Sequence, residues 1–192
     1  MSQAVISEPA QKKFSTMEIV LVGLFAALTA VCSWISIPAP APLAPFTLQT
    51  FAVFCSLEIL GGKRGFFAVL VYILLGAVGV PVFAQFTGGA GVLFGSTGGY
   101  IIGFLFSAAV YWVMEVLLGK KLWVRITALI AGLLVCYAFG TVWFMIVYSR
   151  DNAAVGLGTA LMWCVVPFLL PDAAKLALAL GISAAVKKRV HV

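Results

Sequence analysis

Ten of the twelve basic residues fall into four short groups, Lys12/Lys13, Lys63/Arg64, Lys120/Lys121/Arg125 and Lys187/Lys188/Arg189, separated by long apolar stretches. Few folds satisfy that pattern. If each stretch between groups crosses a bilayer out and back, all four groups lie on one face, and the enrichment of Lys and Arg in cytoplasmic loops makes that face the inner one. An even number of crossings then separates successive groups.

Pro38 to Pro45, Gly61-Gly62, a Gly-rich stretch from Pro81 to Gly99, and Ser149-Arg150-Asp151-Asn152 interrupt the apolar runs. The runs between them predict helices over 17–37, 47–60, 65–80, 100–118, 122–148 and 158–186. The expected fold is therefore all-α: a single integral membrane domain over 1–192, a bundle of six transmembrane helices with both termini cytoplasmic and structured extracellular loops. Spanning a hydrocarbon core of about 30 Å takes about 20 helical residues. The run over 47–60 is short for that, so it must extend, tilt or bury itself among its neighbours.

Composition points the same way, because 64% hydrophobic and 9% charged residues cannot coat a soluble globule of 192 residues. A net charge of +6 could attract nucleic acid. The basic residues are confined to predicted helix ends, however, and form no basic face with interleaved aromatics. The lipid bilayer is the expected partner and nucleic acid is not. Residues 17–37 exceed the roughly 7 to 15 apolar residues of a signal-peptide core, which makes them a retained first helix. Cys32, Cys55, Cys136 and Cys164 lie one to a helix without metal or redox spacing, as buried small hydrophobes do. No metal or cofactor is expected.

The predicted outer loops are unusual. Ile37 to Phe46 holds four prolines and no charge, which suits a stiff extended segment over apolar surface. It reads equally as a lid, with Pro42, Leu43 and Phe46 closing overhead, or as a rigid connector. Pro81 to Tyr100 holds six glycines in twenty residues with aromatics among them. Non-helical backbone at membrane depth survives only where it is buried in protein or lines a cavity. Glycine allows sharp turns and close approach to a ligand. No Lys follows the glycines and no strand precedes them, so a phosphate loop does not fit and an apolar cradle does.

The last predicted helix carries the chemical signal. Asp172 and Lys175 are the only charged residues between Asp151 and Lys187, and a spacing of three places them on one helix face. A charge at the bilayer centre costs about 2.5 to 3.5 kcal/mol on insertion scales, so the pair must face the interior. Pro171 suits the first turn of a helix, where the Asp172 anion would meet the positive end of the dipole. Two readings of the pair stand. The charges neutralise one another and fasten helix packing, or they grip a polar ligand such as a ureido or amide ring, with the ammonium also able to hold a carboxylate.

Glu58 and Glu115 lie near Lys63/Arg64 and Lys120/Lys121, so local charge pairing is expected for both. Glu18 begins the first helix, where a carboxylate is dipole-favoured. No Cys, Ser or Thr has a His partner in the bundle, which leaves no catalytic nucleophile and base. Gly23/Ala27 and Ala26/Ala30 give two small-xxx-small spacings that permit close helix approach.

With these residues in view, the chain resembles the biotin-specific substrate-binding (S) components of energy-coupling factor vitamin transporters, the BioY family. The likeness rests on Pro45-Phe-Thr-Leu-Gln-Thr-Phe51, Gly79-Val-Pro-Val-Phe-Ala84, Gly95-Ser-Thr-Gly-Gly-Tyr-Ile-Ile-Gly-Phe104 and Pro171-Asp-Ala-Ala-Lys175. It departs at Ser96, where the family commonly has proline. The resemblance implies a high-affinity biotin-binding subunit in the bacterial cytoplasmic membrane, not an enzyme. It also implies a membrane coupling subunit docking on Ala26 and Ala30, and two cytosolic ATPase subunits. This chain has no Gly-x-x-x-x-Gly-Lys-Ser/Thr loop of its own.

On that resemblance Asp172 accepts ureido N–H bonds and Lys175 donates to a ligand oxygen. Gln49, Phe83, Gln85, Gly88, Gly89, Gly91, Val92 and Tyr100 complete the expected substrate site. An S component for another small vitamin, a small channel with the Gly-rich segment as a re-entrant loop, and a membrane enzyme using Asp172 and Lys175 as acid and base are the competing readings.

Overall fold

A computed structural model describes residues 15–39 and 44–189. In chain order the elements are α1 (Thr16–Trp34), β1 (Ser36–Ile37), β2 (Phe46–Thr47), α2 (Gln49–Leu60), α3 (Gly62–Ala77), a 3-10 turn (Ala84–Phe86), α4 (Ala90–Phe94), α5 (Gly98–Leu118), α6 (Leu122–Asp151), α7 (Leu157–Cys164) and α8 (Val166–Arg189). The two short strands pair antiparallel, Ser36 opposite Thr47 and Ile37 opposite Phe46. This clip is the one sheet among the described residues of an otherwise helical fold.

Local chemistry sets several boundaries. The Ser15 hydroxyl accepts from the Glu18 amide while the Glu18 carboxylate accepts from the Ser15 amide, a reciprocal cap that starts α1. Gly61 separates α2 from α3 with φ +82°, a conformation that side chains disfavour. The chain therefore reverses between two helices with a single residue between them.

Among the described residues four helices, α1, α5, α6 and α8, are long and apolar enough to cross a membrane. By contrast α2, at 12 residues, rises only about 18 Å. Ten of its residues are buried, so it is an internal helix whose backbone is shielded by its neighbours. That resolves the short run over 47–60: it buries itself. The helix predicted over 65–80 is α3, displaced toward its N-terminus.

Contacts bring together the three basic groups that lie among the described residues. Arg64 reaches Glu18 at 3.6 Å, the Gly62 amide donates to Glu115, and Lys120 lies 3.7 Å from the same Glu115. Arg125 donates to Ser183 at 3.1 Å and pairs with Glu58. The start of α1, the α2–α3 and α5–α6 junctions and the last turns of α8 thus share one end of the bundle, here termed the basic end. The opposite end is built from the strand clip, the Gly-rich segment and the α6–α7 junction. Lys12, Lys13, Pro42, Leu43 and His191 lie outside the described residues.

The core is aromatic and tight, with Tyr72, Tyr111, Phe54, Phe83 and Phe144 fully buried. Helices α5 and α6 pack along their length, and Gly99 lies under Trp143 as Gly140 lies under Tyr100, where a Cβ would collide with the ring. Such small residues let membrane helices approach closely.

Three expectations change. The helix predicted over 158–186 is two, α7 and α8, broken at Val165. Pro171 lies inside α8 rather than in its first turn, which Pro167 occupies. Asp172 is therefore not at the positive end of a dipole; Pro171 instead lacks an N–H for the Pro167 carbonyl, one turn before Asp172. Glu58 pairs with Arg125 and not with Lys63/Arg64, because its side chain is wholly buried between helices.

Candidate functional site

Asp172 and Lys175 are both buried, on adjacent turns of α8. Lys175 Nζ donates to Asp172 Oδ1 at 2.8 Å, and the Tyr137 hydroxyl of α6 donates to Asp172 Oδ2 at 2.6 Å. The carboxylate is thus held from two helices. Each oxygen retains a lone pair, and the ammonium keeps two N–H bonds to give. Locked to each other, the two charges form a neutral pair with spare polar capacity.

That capacity faces a cavity of about 440 Å³, within the range of small-molecule sites. Ala44, Pro45 and Thr47 from the strand clip, Gln49 and Thr50 from α2, and Phe168 beside the pair contribute to its wall. Phe83, Gln85, Val92, Ser96 and Tyr100 supply the side formed by the Gly-rich segment and the start of α5. Apolar and aromatic surface dominates, with a few fixed polar groups.

Second contacts hold those groups in place. Gln49 Nε2 donates to the Tyr72 hydroxyl at 2.7 Å, and the Tyr100 hydroxyl lies 3.0 Å from Thr141 Oγ1. Phe83 is buried edge-on against Tyr72 with ring centroids 5.6 Å apart. The turn after it is strained: Gln85 and Phe86 both adopt left-handed backbone, at φ +58° and +57°. Such geometry costs of order 1 to 3 kcal/mol per residue and gathers at functional sites. It persists here because Trp34 of α1 donates to the Pro81 carbonyl at 2.8 Å and stacks on Phe86 at 5.0 Å.

Of the residues named from sequence, Asp172, Lys175, Gln49, Phe83, Gln85, Val92 and Tyr100 converge on this cavity. Gly88, Gly89 and Gly91 do not line it. Gly88 packs against the Val80 carbonyl and Gly89 turns the chain at φ +98°, while Gly91 borders a second, smaller cavity. Gly88 and Gly89 thus set the path of the segment beside the larger cavity. Phe46 stacks on Phe168 with centroids 4.5 Å apart, so it braces one wall from behind; Pro42 and Leu43 fall among the residues not described. Ala26 and Ala30 are buried in the core rather than offered to a partner. Gly23 and Ala27 of α1 are exposed instead.

Tyr137, which clamps Asp172, was not foreseen. It lies 35 residues away on another helix, and no local spacing links them. Thr50, Ser96, Tyr148 and Phe168 join the wall for the same non-local reason. All four cysteines are free and buried, and Cys136 and Cys164 reach the cavity as apolar surface.

The family model for the BioY family matches residues 8–192. The biotin transporter BioY of Thermotoga maritima is 42% identical over 172 residues, 89% of this chain and 96% of that protein. The probable biotin transporter BioY of Pyrococcus horikoshii is 41% identical, covering 86% and 93%. A crystal structure of the S-component for biotin from an ECF-type ABC transporter superposes with a TM-score of 0.79 at 20% identity, over 93% of this chain and 96% of that one, which shows a shared fold. By family model, sequence identity and fold alike, the chain belongs to the BioY family.

Proposed function

We propose that this chain is the high-affinity biotin-binding membrane subunit of a bacterial vitamin uptake transporter. The observation that carries the reading is the buried Asp172–Lys175 pair, tied to Tyr137 and facing a cavity of about 440 Å³. A ureido ring presents N–H beside C=O, and a neutral acid and base pair offers acceptor beside donor. The bicyclic ring then lies against Phe83, Val92, Tyr100 and Phe168. Removal from water strengthens each of these polar contacts. The names carried by the relatives support the choice of vitamin.

In this reading the bundle makes six passages through the cytoplasmic membrane, α2 and α3 serving as short ones. The basic end is cytoplasmic, by the preference of Lys and Arg for that side. The glycine-rich end opens outward. A membrane coupling subunit and two cytosolic ATPases supply energy. The exposed Gly23/Ala27 face of α1 admits close helix approach, and replaces Ala26/Ala30 as the docking surface.

Isothermal titration of the detergent-purified protein with biotin, beside native mass spectrometry of the same preparation, tests the reading. A retained or titrated ligand of biotin mass is the expected result. A different vitamin mass overturns the substrate while keeping the class. Ion currents from the pure protein in liposomes overturn the class.

A further inference from the structure

Biotin carries a ureido ring at one end and a carboxylate at the other, so a site built for it must treat the two ends differently. Lys175 cannot answer the carboxylate as a free cation, because its charge is already met by Asp172 at 2.8 Å. These two are the charged residues that line the larger cavity. A second cavity of about 360 Å³ lies against the first, and the two share Ser96 and Tyr148. Among the described side chains its wall consists of Gly91, Phe94, Gly95, Val147 and Asn152 with those two residues, and the one charged group among them is Arg150.

The placement of Arg150 follows from α6. Trp143, Val147 and Arg150 are spaced by four and three residues and so share a helix face. Trp143 Nε1 donates to the Gly95 carbonyl at 3.0 Å, which fastens that face to the Gly-rich segment. Side chains on a helix lean toward its N-terminus, which for α6 is the basic end. An exposed Arg150 in the last turn therefore leans back over the mouth of the cavity instead of away from it. It forms no hydrogen bond or ion pair with another described residue. The Arg150 side chain borders the second cavity.

Resting on the biotin reading, we propose that this second cavity is an outer vestibule in which Arg150 captures the ligand's carboxylate, selecting anionic over neutral ligands before the ring reaches Asp172. Thirteen residues separate Tyr137 from Arg150 on one helix, about 20 Å of rise. The capture point is thus the entrance, distinct from the ring site, and its effect is on the rate of association. Such steering weakens with salt.

Stopped-flow association of biotin and of biotinamide, whose tail is neutral, separates the two sites in the full chain. Unmodified protein should take up biotin faster than biotinamide, with only the biotin rate falling as salt rises. Arg150→Gln should slow biotin on the order of tenfold and abolish its salt dependence, while leaving the biotinamide rate unchanged. Arg150→Lys should restore most of the biotin rate. Because biotinamide reports on the ring site, it also verifies that the variants fold. Equal, salt-independent rates for the two ligands in unmodified protein, or an Arg150→Gln variant that slows both alike, would overturn the vestibule assignment alone. Unmodified protein that binds neither ligand would overturn the biotin reading beneath it.

Discussion

At the basic end Glu58 is held by Arg125, Tyr111 and Ser183; at the glycine-rich end Asp172 is held by Lys175 and Tyr137. Both are buried carboxylates with a cation and a phenol for partners. Neither Glu58 nor Arg125 borders the two cavities described above, whereas Asp172, Lys175 and Tyr137 all line the larger one. The group at the basic end joins α2, α5, α6 and α8, and its bonds point at one another. The group at the glycine-rich end joins only α6 and α8, and part of its capacity is open to a guest. A charge in a membrane bundle is thus a weak sign of a site until its unused valences and the space beside it are known.

The contrast predicts that the Glu58 group governs folding and the Asp172 group binding. The largest effect should come from Arg125→Ala, which leaves the Glu58 carboxylate buried without its cation. Removing one partner of a buried pair costs about 3 to 5 kcal/mol, read as lost folded yield and a lowered melting temperature in detergent. Replacing both Glu58 and Arg125 by apolar residues of similar size should recover most of that stability. An Arg125→Ala protein as stable as the parent would break the distinction.

Asp172→Ala should act the other way, lowering biotin affinity by about 2 to 5 kcal/mol in titration calorimetry. The protein should remain folded by circular dichroism, since the site already borders a void. Unchanged affinity would return the pair to a packing role. A smaller loss is expected from Tyr137→Phe, which removes one hydrogen bond to a charged acceptor, worth about 1.5 to 3 kcal/mol. Its effect should appear in biotin affinity rather than in melting temperature. Smallest is Phe46→Ala, which loses a stack on Phe168 worth about 0.5 to 1.5 kcal/mol beyond burial. Faster biotin release at nearly constant association rate would mark the strand clip as a brace for the wall.

Much of the architecture was readable along the chain. The basic clusters implied one charged end, and contacts among Arg64, Glu18, Gly62, Glu115, Arg125 and Ser183 assemble it for the three clusters among the described residues. The Asp172/Lys175 spacing placed the pair on one helical face, which is a local property. Glu58 shows the limit, for its sequence neighbours Lys63 and Arg64 were the obvious partners. The tertiary partner came from 67 residues away. Pro171 misled in a similar manner: proline marks a first turn or a helix interior equally well until the preceding residues are seen to be helical.

What the amino-acid sequence determined by itself is what solvation carries: a chain too apolar for water, most basic residues gathered in clusters at helix ends, and an ion pair that could not face lipid. These depend on residue type and short spacing. Only the tertiary structure decided that Asp172 is clamped by Tyr137, that Ala26 and Ala30 turn inward, and that Gly88 and Gly89 shape the segment beside the larger cavity without lining it. The reason is that helix rotation and depth are set by packing summed over all neighbours. No one segment contains that sum.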